Sequence, residues 1–142
     1  MAFISISITK NHPLILGKGG FGRQLADWLS AEGWGEAEFL DDSAPGCVGG
    51  LRDYADPKLL KPGRPAFVAL GDNALRVELL QKLAAAGYDT PVFISDMAAV
   101  SPSAVLEPGC VILPQAYVGA DAHLGVGCII NGGAIVDHDA VL

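Results

Sequence analysis

From Ile94 to Leu142 the chain reads ISDMAAVSPSAVLEPGCVILPQAYVGADAHLGVGCIINGGAIVDHDAVL, and this stretch repeats with a period of six. Aliphatic residues stand at Ile94, Val100, Leu106, Ile112, Val118, Leu124, Ile130, Val136 and Leu142. Four residues after each of the first eight comes a small one: Ala98, Ala104, Cys110, Ala116, Ala122, Cys128, Ala134 and Ala140. Such a period reads as a parallel β-helix, each unit giving one short strand and one turn, with three units closing a coil of about 18 residues. The aliphatic residue points inward, the small one fits the corner, and Gly, Asp and Pro fill the turns between. Stacked coils bury one another, so the array needs a neighbour or a cap at each end.

The repeat also sorts its polar and reactive residues. Cys110 and Cys128 lie eighteen residues apart at the small position, so they are expected to stack in adjacent coils as core residues. His123 follows a small position and reads as a surface residue. His138 lies between inward Val136 and corner Ala140, projects outward, and is flanked by Asp137 and Asp139. Imidazole beside a carboxylate suits a general base, because the anion stabilises the protonated ring and fixes the tautomer. A solvated histidine fits that position equally well.

The part before the repeat has a different grammar. Ile4, Ile6 and Ile8 alternate with Ser5 and Ser7, a half-buried strand by period. Leu14-Ile15-Leu16 is a short buried strand running into Gly17-Lys18-Gly19-Gly20-Phe21-Gly22. A helical pattern follows, with Phe21, Leu25, Trp28 and Leu29 on one face and Gly33 as its stop. Glu38-Phe39-Leu40 makes the next strand and ends in Asp41-Asp42, and Ala66 to Leu70 makes a third, meeting Gly71-Asp72-Asn73. A second helix carries Leu75, Leu79, Leu80 and Leu83 inward, capped by Asp72 or Asn73 and ended by Gly87. Pro91 to Ile94 is expected to close a parallel α/β sheet. Strand, glycine loop and helix together present backbone N–H groups to a phosphate. Gly17, Gly19 and Gly22 formally match G-x-G-x-x-G, with an acidic pair about 20 residues on, which by itself suggests a dinucleotide such as NAD. Glycines serving only a tight turn, and a solvated Asp41-Asp42, remain open alternatives.

Composition narrows the function classes. Of 142 residues 51% are apolar and 18% charged, enough to bury a core. The formal charge of -7 argues against nucleic acid or an anionic membrane surface as partner, since both reward basic patches. A single phosphate-bearing ligand is still compatible with it. The three cysteines form an odd set behind no export signal, the expectation for a reduced cytoplasmic protein. No apolar run approaches the length of roughly 18 residues that a membrane helix needs.

These blocks resemble the sugar O- and N-acetyltransferases of the sialic acid O-acetyltransferase and bacillosamine-pathway type. The likeness runs from about residue 13, on Gly17 to Arg23, Phe39 to Asp42, Ala69 to Arg76, Ser101 to Ala104, Asn131, and Ile135 to Asp139. It implies a Rossmann-like nucleotide-sugar-binding domain over 1–93 and a left-handed β-helix over 94–142, incomplete at its C-terminus. It also implies that Gly19, Gly20 and Phe21 approach the diphosphate of a nucleotide sugar, a UDP-sugar in the first instance, and that Asp41, Asp42, Gly71, Asp72 and Asn73 surround the nucleoside. Acetyl-CoA would be the acyl donor, with no metal, and the coils would associate as a homotrimer. His138 would be the general base with Asp139 as its acidic partner, and Asn131 would lie near the acceptor sugar. Members often carry His where Phe21 stands, and their coils continue beyond the unit opened by Leu142, so the chain is expected to be a truncated form whose own activity is open. Two other readings stay in play: a catalytically inactive nucleotide-sugar-binding or trimerisation fragment, and an NAD-binding protein.

Overall fold

A computed structural model describes residues 12–142, which fall into two compact units, Met1–Thr90 and Pro91–Leu142. The strand expected over residues 2–8 lies outside the described residues. No helix among the described residues is long and apolar enough to cross a membrane.

The first unit is a Rossmann-like α/β core. Strands β1 (Leu14–Leu16), β2 (Glu38–Leu40) and β3 (Ala66–Val68) form a parallel sheet in the order β2-β1-β3. Helices α1 (Gly20–Ala31) and α2 (Asn73–Ala86) follow β1 and β3. Because β1 is paired on both sides, all three of its residues are buried, as an unbroken apolar triplet requires. Leu14, Leu16, Leu40, Val68, Leu79 and Leu83 make the core beneath it. Each α2 end is shaped by one residue: Asp72 accepts a hydrogen bond from the Leu75 N–H at 3.0 Å, and Gly87 takes the left-handed φ of 112° that stops the helix.

At the amino edge of the sheet Arg64 is buried and binds three partners. Its Nε donates to the His12 carbonyl, one terminal nitrogen to the Leu59 carbonyl, and the other to Glu38 Oε1 at 2.6 Å. This knot fixes the end of the unit opposite the glycine loop. The third strand stops at Val68, two residues before the expected Leu70.

One expected strand moves to the other unit. Pro91 to Ile94 was to close the α/β sheet, but Phe93–Ile94 (β4) pairs with Val111–Ile112 (β7), eighteen residues on. At the start of β3 the segment before Pro91 makes an isolated parallel bridge, Pro65 to Asp89. The cause is the phase of the repeat: the Phe93 N–H already has a coil partner in the Cys110 carbonyl, 2.9 Å away.

The second unit is a stack of short parallel strands. Besides β4 and β7 it contains β5 (Ala99–Val100), β6 (Val105–Leu106), β8 (Tyr117–Val118), β9 (His123–Leu124), β10 (Ile129–Ile130) and β11 (Ile135–Val136). They make three sheets, β10-β7-β4, β11-β8-β5 and β6-β9, each pairing residues eighteen apart. Inward aliphatic and small residues share one core, Cys110 and Cys128 included. Burial pushes the Cys110 thiol up to about 11, so it is inert as a nucleophile. The core is dry in the middle, where Ile112, Val118 and Leu124 are 0% exposed, whereas Ile94 is 40% and Leu142 58% exposed. From Gly109 on, the second turn residue of every unit is left-handed: Gly109, Gln115, Asp121, Gly127, Gly133 and Asp139.

Candidate functional site

In an open parallel sheet, ligands bind beyond the carboxyl ends of the strands, where the strand order reverses. Here β1 leads through α1 to β2 on one side, and the chain then crosses to β3 on the other. The reversal therefore lies between the loops after β1 and β3, Gly17 to Gly20 and Gly71 to Asn73.

The glycines of the first loop divide into two kinds. A β-carbon at Gly22 would sit 2.0 Å from the Gly17 carbonyl oxygen, and one at Gly17 would sit 2.7 Å from the Ala69 carbonyl oxygen. These two let α1 pack against β1 and β3. At Gly19 and Gly20 a β-carbon would meet nothing within 4 Å. Gly19 caps α1 with no side chain, and no acidic residue stands in the first turn. The opening N–H groups of α1 have no intrahelical partner, and the space before them is open, an arrangement that suits an anion. Phe21, half-buried in that first turn, offers a ring where a polar group would add a contact.

Asp41 is committed inside the protein. Its carboxylate accepts from the N–H groups of Lys18 (2.8 Å), Ser43 (2.9 Å) and Ala44 (2.9 Å), which hold its carboxyl down to about 2. Lys18 closes the same contact from the other side, donating through Nζ to the Pro45 carbonyl at 2.8 Å and lying over the Phe39 ring. Asp41 thus ties the glycine loop to the loop after β2. Asp42 Oδ1 accepts from the Leu51 N–H, and the residue is exposed. In the loop after β3, Gly71, Asp72 and Asn73 are exposed, and Arg76 organises them. The guanidinium of Arg76 is buried and donates to the Leu70 carbonyl and to Asn73 Oδ1, each at 2.8 Å. Asn73 therefore turns its NH₂ group, a pure donor, away from the arginine. The roles of Lys18 and Arg76 were not anticipated; both stand in the blocks Gly17 to Arg23 and Ala69 to Arg76 that carried the resemblance.

In the second unit His138 stands exposed on the turn after β11. Its Nδ1 lies 2.7 Å from Asp139 Oδ2, and its Nε2 lies 4.0 Å from Asp137 Oδ1. The Asp139 hydrogen bond, then the charges of Asp137 and Asp139, raise the pKa of His138 above that of a free imidazole. With Nδ1–H donated to Asp139, the neutral ring presents the Nε2 lone pair outward. Asp139 reaches the ring from a left-handed backbone with φ of 63°, which Asp tolerates better than most residues. Asn131 stands one corner earlier, exposed, and its side chain accepts from the Gly132 N–H. No hydrogen bond joins it to His138. His123, read as a surface residue, pairs with Glu107 of the neighbouring coil at 2.9 Å. Among the described residues no group of His, Cys, Asp or Glu is arranged to hold a metal ion.

The dyad predicts a titration. Asp139→Asn keeps a residue that accepts the left-handed backbone but removes the charge and the strong acceptor, so the His138 pKa falls, with Asp137 still holding part of the rise. NMR titration of the ring protons reads this, and a value that does not move would remove Asp139 as the cause of the raised basicity.

Comparison with known proteins adds a family to this geometry. Residues 14–83 match the PglD N-terminal domain. The acetyltransferase domain of PglB from Neisseria gonorrhoeae superposes with a TM-score of 0.83 at 35% identity, covering 93% of this chain and 67% of that one. It is also known in complex with acetyl coenzyme A. GDP-perosamine N-acetyltransferase from Caulobacter crescentus, as a histidine-to-alanine mutant holding CoA and GDP-perosamine, gives 0.81 at 31% identity, covering 92% of this chain and 64% of that one. WeeI from Acinetobacter baumannii shares the fold, at 16% identity and a TM-score of 0.61. Among curated proteins none matches the sequence. The chain spans about two thirds of the length of the two acetyltransferases it resembles at over 30% identity.

Proposed function

The chain belongs to the bacillosamine-pathway type of sugar acetyltransferases, and from that premise we propose that it transfers acetyl from acetyl-CoA to the amino group of a nucleotide-linked sugar. The observation that carries the reading is the His138–Asp139 pair on an exposed turn of the β-helix. The diphosphate is held at the open N-terminus of α1 by Gly19, Gly20 and Phe21. The nucleoside lies toward Asn73, Asp72 and Gly71, with Asp42 as a further contact. Asp41 borders the same site and ties its two loops together.

In the reaction the acceptor nitrogen attacks the thioester carbonyl while His138 Nε2 takes its proton. The tetrahedral intermediate collapses, the C–S bond breaks, and the CoA thiolate leaves and collects the proton from Nε2. Asp139 holds Nδ1–H and stabilises the imidazolium formed between these steps. Since the neutral ring is the base, activity rises with pH through the raised pKa of His138 and is lost below it. Asn131 is assigned to the acceptor sugar. The protein works as a homotrimer with acetyl-CoA lying along the coils, as the family resemblance implies, and its odd set of cysteines suits the reducing cytoplasm.

The dinucleotide alternative is disfavoured by the similar solved structures, which hold acetyl coenzyme A, or CoA with GDP-perosamine. A thermal-shift screen against UDP-sugars, GDP-sugars, CMP-sialic acid, NAD and acetyl-CoA, each alone, tests the reading. Stabilisation by a nucleotide sugar and by acetyl-CoA is expected; stabilisation by NAD alone would overturn it.

A further inference from the structure

The turn that carries His138 is seated on the coil beneath it by two backbone hydrogen bonds. The Gly119 N–H donates to the Val136 carbonyl at 2.8 Å, and the Asp139 N–H donates to the Ala120 carbonyl at 2.9 Å. Between them the backbone of His138 rests on Gly119. A β-carbon at Gly119 would lie 2.7 Å from the His138 nitrogen and 3.0 Å from both the Asp137 carbonyl carbon and the His138 Cα. Gly119 is not among the residues of positive φ, so its backbone would accept a side chain. What excludes one is the turn above.

The repeat itself does not demand glycine at this place. Six residues earlier the same position is Leu113, fully buried, and its platform is built in the same way. The Leu113 N–H donates to the Ile130 carbonyl at 3.0 Å, and the Gly133 N–H donates to the Pro114 carbonyl at 3.2 Å. The coil can therefore stack over a side chain there. Below His138 it does not.

We propose that Gly119 is a positioning residue for the base: its missing side chain lets the 137–139 turn settle onto the preceding coil, which holds the His138 ring against Asp139. Asp139 is pinned through its own N–H to Ala120, while a methyl group at 119 pushes on the nitrogen and Cα of His138. The displacement falls between the two partners, and the 2.7 Å contact from Nδ1 to Oδ2 is the bond that loosens. The importance of this for catalysis rests on the reading of His138 as the general base; the positioning itself does not.

The test is Gly119→Ala in the whole chain, followed by NMR titration of His138 and by acetyl-transfer kinetics. The pKa of His138 is expected to fall. The rate kcat is expected to drop by about 10–100-fold at unchanged KM for the nucleotide sugar, the size of effect that misplacing a catalytic group produces. Gly132→Ala, whose β-carbon would lie 3.4 Å from the Pro114 carbonyl oxygen, should leave His138 unchanged. A folded Gly119→Ala chain with an unaltered His138 titration would overturn the proposal. Should that variant not fold, hydrogen exchange in the unsubstituted chain decides: slow exchange of the Gly119 and Asp139 amides supports a rigid seat, and exchange at the rate of an open turn refutes it. A shifted His138 titration in a chain that transfers no acetyl would keep the positioning and discard the catalytic role.

Discussion

His138→Ala is expected to lower acetyl transfer by about 10²–10⁴-fold, the usual contribution of a positioned general base. Nucleotide-sugar affinity should change little, because the contacts assigned to its diphosphate and nucleoside belong to the Met1–Thr90 unit. The side chain is exposed on a turn, so its removal leaves no cavity and the melting temperature should hardly move. Thiol release from acetyl-CoA and calorimetric binding of the nucleotide sugar read the two quantities separately. Unchanged turnover would remove His138 from the mechanism, and lost binding would mean that the residue acts on the acceptor and not on its proton.

The second large effect divides two glycines of the same loop, Gly22 and Gly20. Gly22→Ala forces a methyl group to 2.0 Å from a backbone oxygen of Gly17, and backbone cannot swing aside as a flexible side chain can. Overpacking of that kind costs about 3 kcal/mol or more, a large share of the stability of a small domain. Trp28 and Trp34 are the two tryptophans of the chain and both lie in the first unit, so denaturant unfolding followed by their fluorescence isolates that unit. Gly20→Ala should do the reverse. Alanine is the better helix residue by about 1 kcal/mol, and its methyl group would enter open space. That variant should fold as well as the parent, yet lose nucleotide-sugar affinity, because the space is where the diphosphate is assigned. Equal affinity in Gly20→Ala would move the phosphate site elsewhere.

How far the sequence could be read depends on the scale of each cause. The β-helix was legible because one geometric rule is imposed on every unit, so the inward positions and the stacking of Cys110 over Cys128 followed from the period. The end of the α/β sheet was misplaced for the same reason. Pro91 to Ile94 satisfies a buried strand of either unit, and only pairing partners eighteen residues away decide between them. The outward placement of His138 between two carboxylates was legible from the phase of the repeat, but its seat was not. Gly119 looks like any turn glycine, and its role appears only when the next coil is laid over it. One signal was present and unused: Gly109, Gly127 and Gly133 recur at a single repeat position, which marks Asp139 at that same position as left-handed. Asp41 shows the opposite limit. An acidic residue at a strand end reads as a ligand contact, but nothing in the sequence shows that its carboxylate also accepts from Ser43 and Ala44 in its own loop and from Lys18 in the glycine loop.

The central claim is transfer of acetyl from acetyl-CoA to a nucleotide-linked amino sugar, and the most direct measurement supplies the chain with both. Acetyl-CoA and a panel of UDP- and GDP-linked amino sugars are incubated with the protein, free thiol is followed, and the sugar nucleotide is weighed by mass spectrometry. Thiol release matched by an acetylated sugar nucleotide, rising with pH and abolished in His138→Ala, is the expected result. Saturating binding of both substrates with no acetylated product would contradict the claim and leave a protein that binds a nucleotide sugar without acting on it.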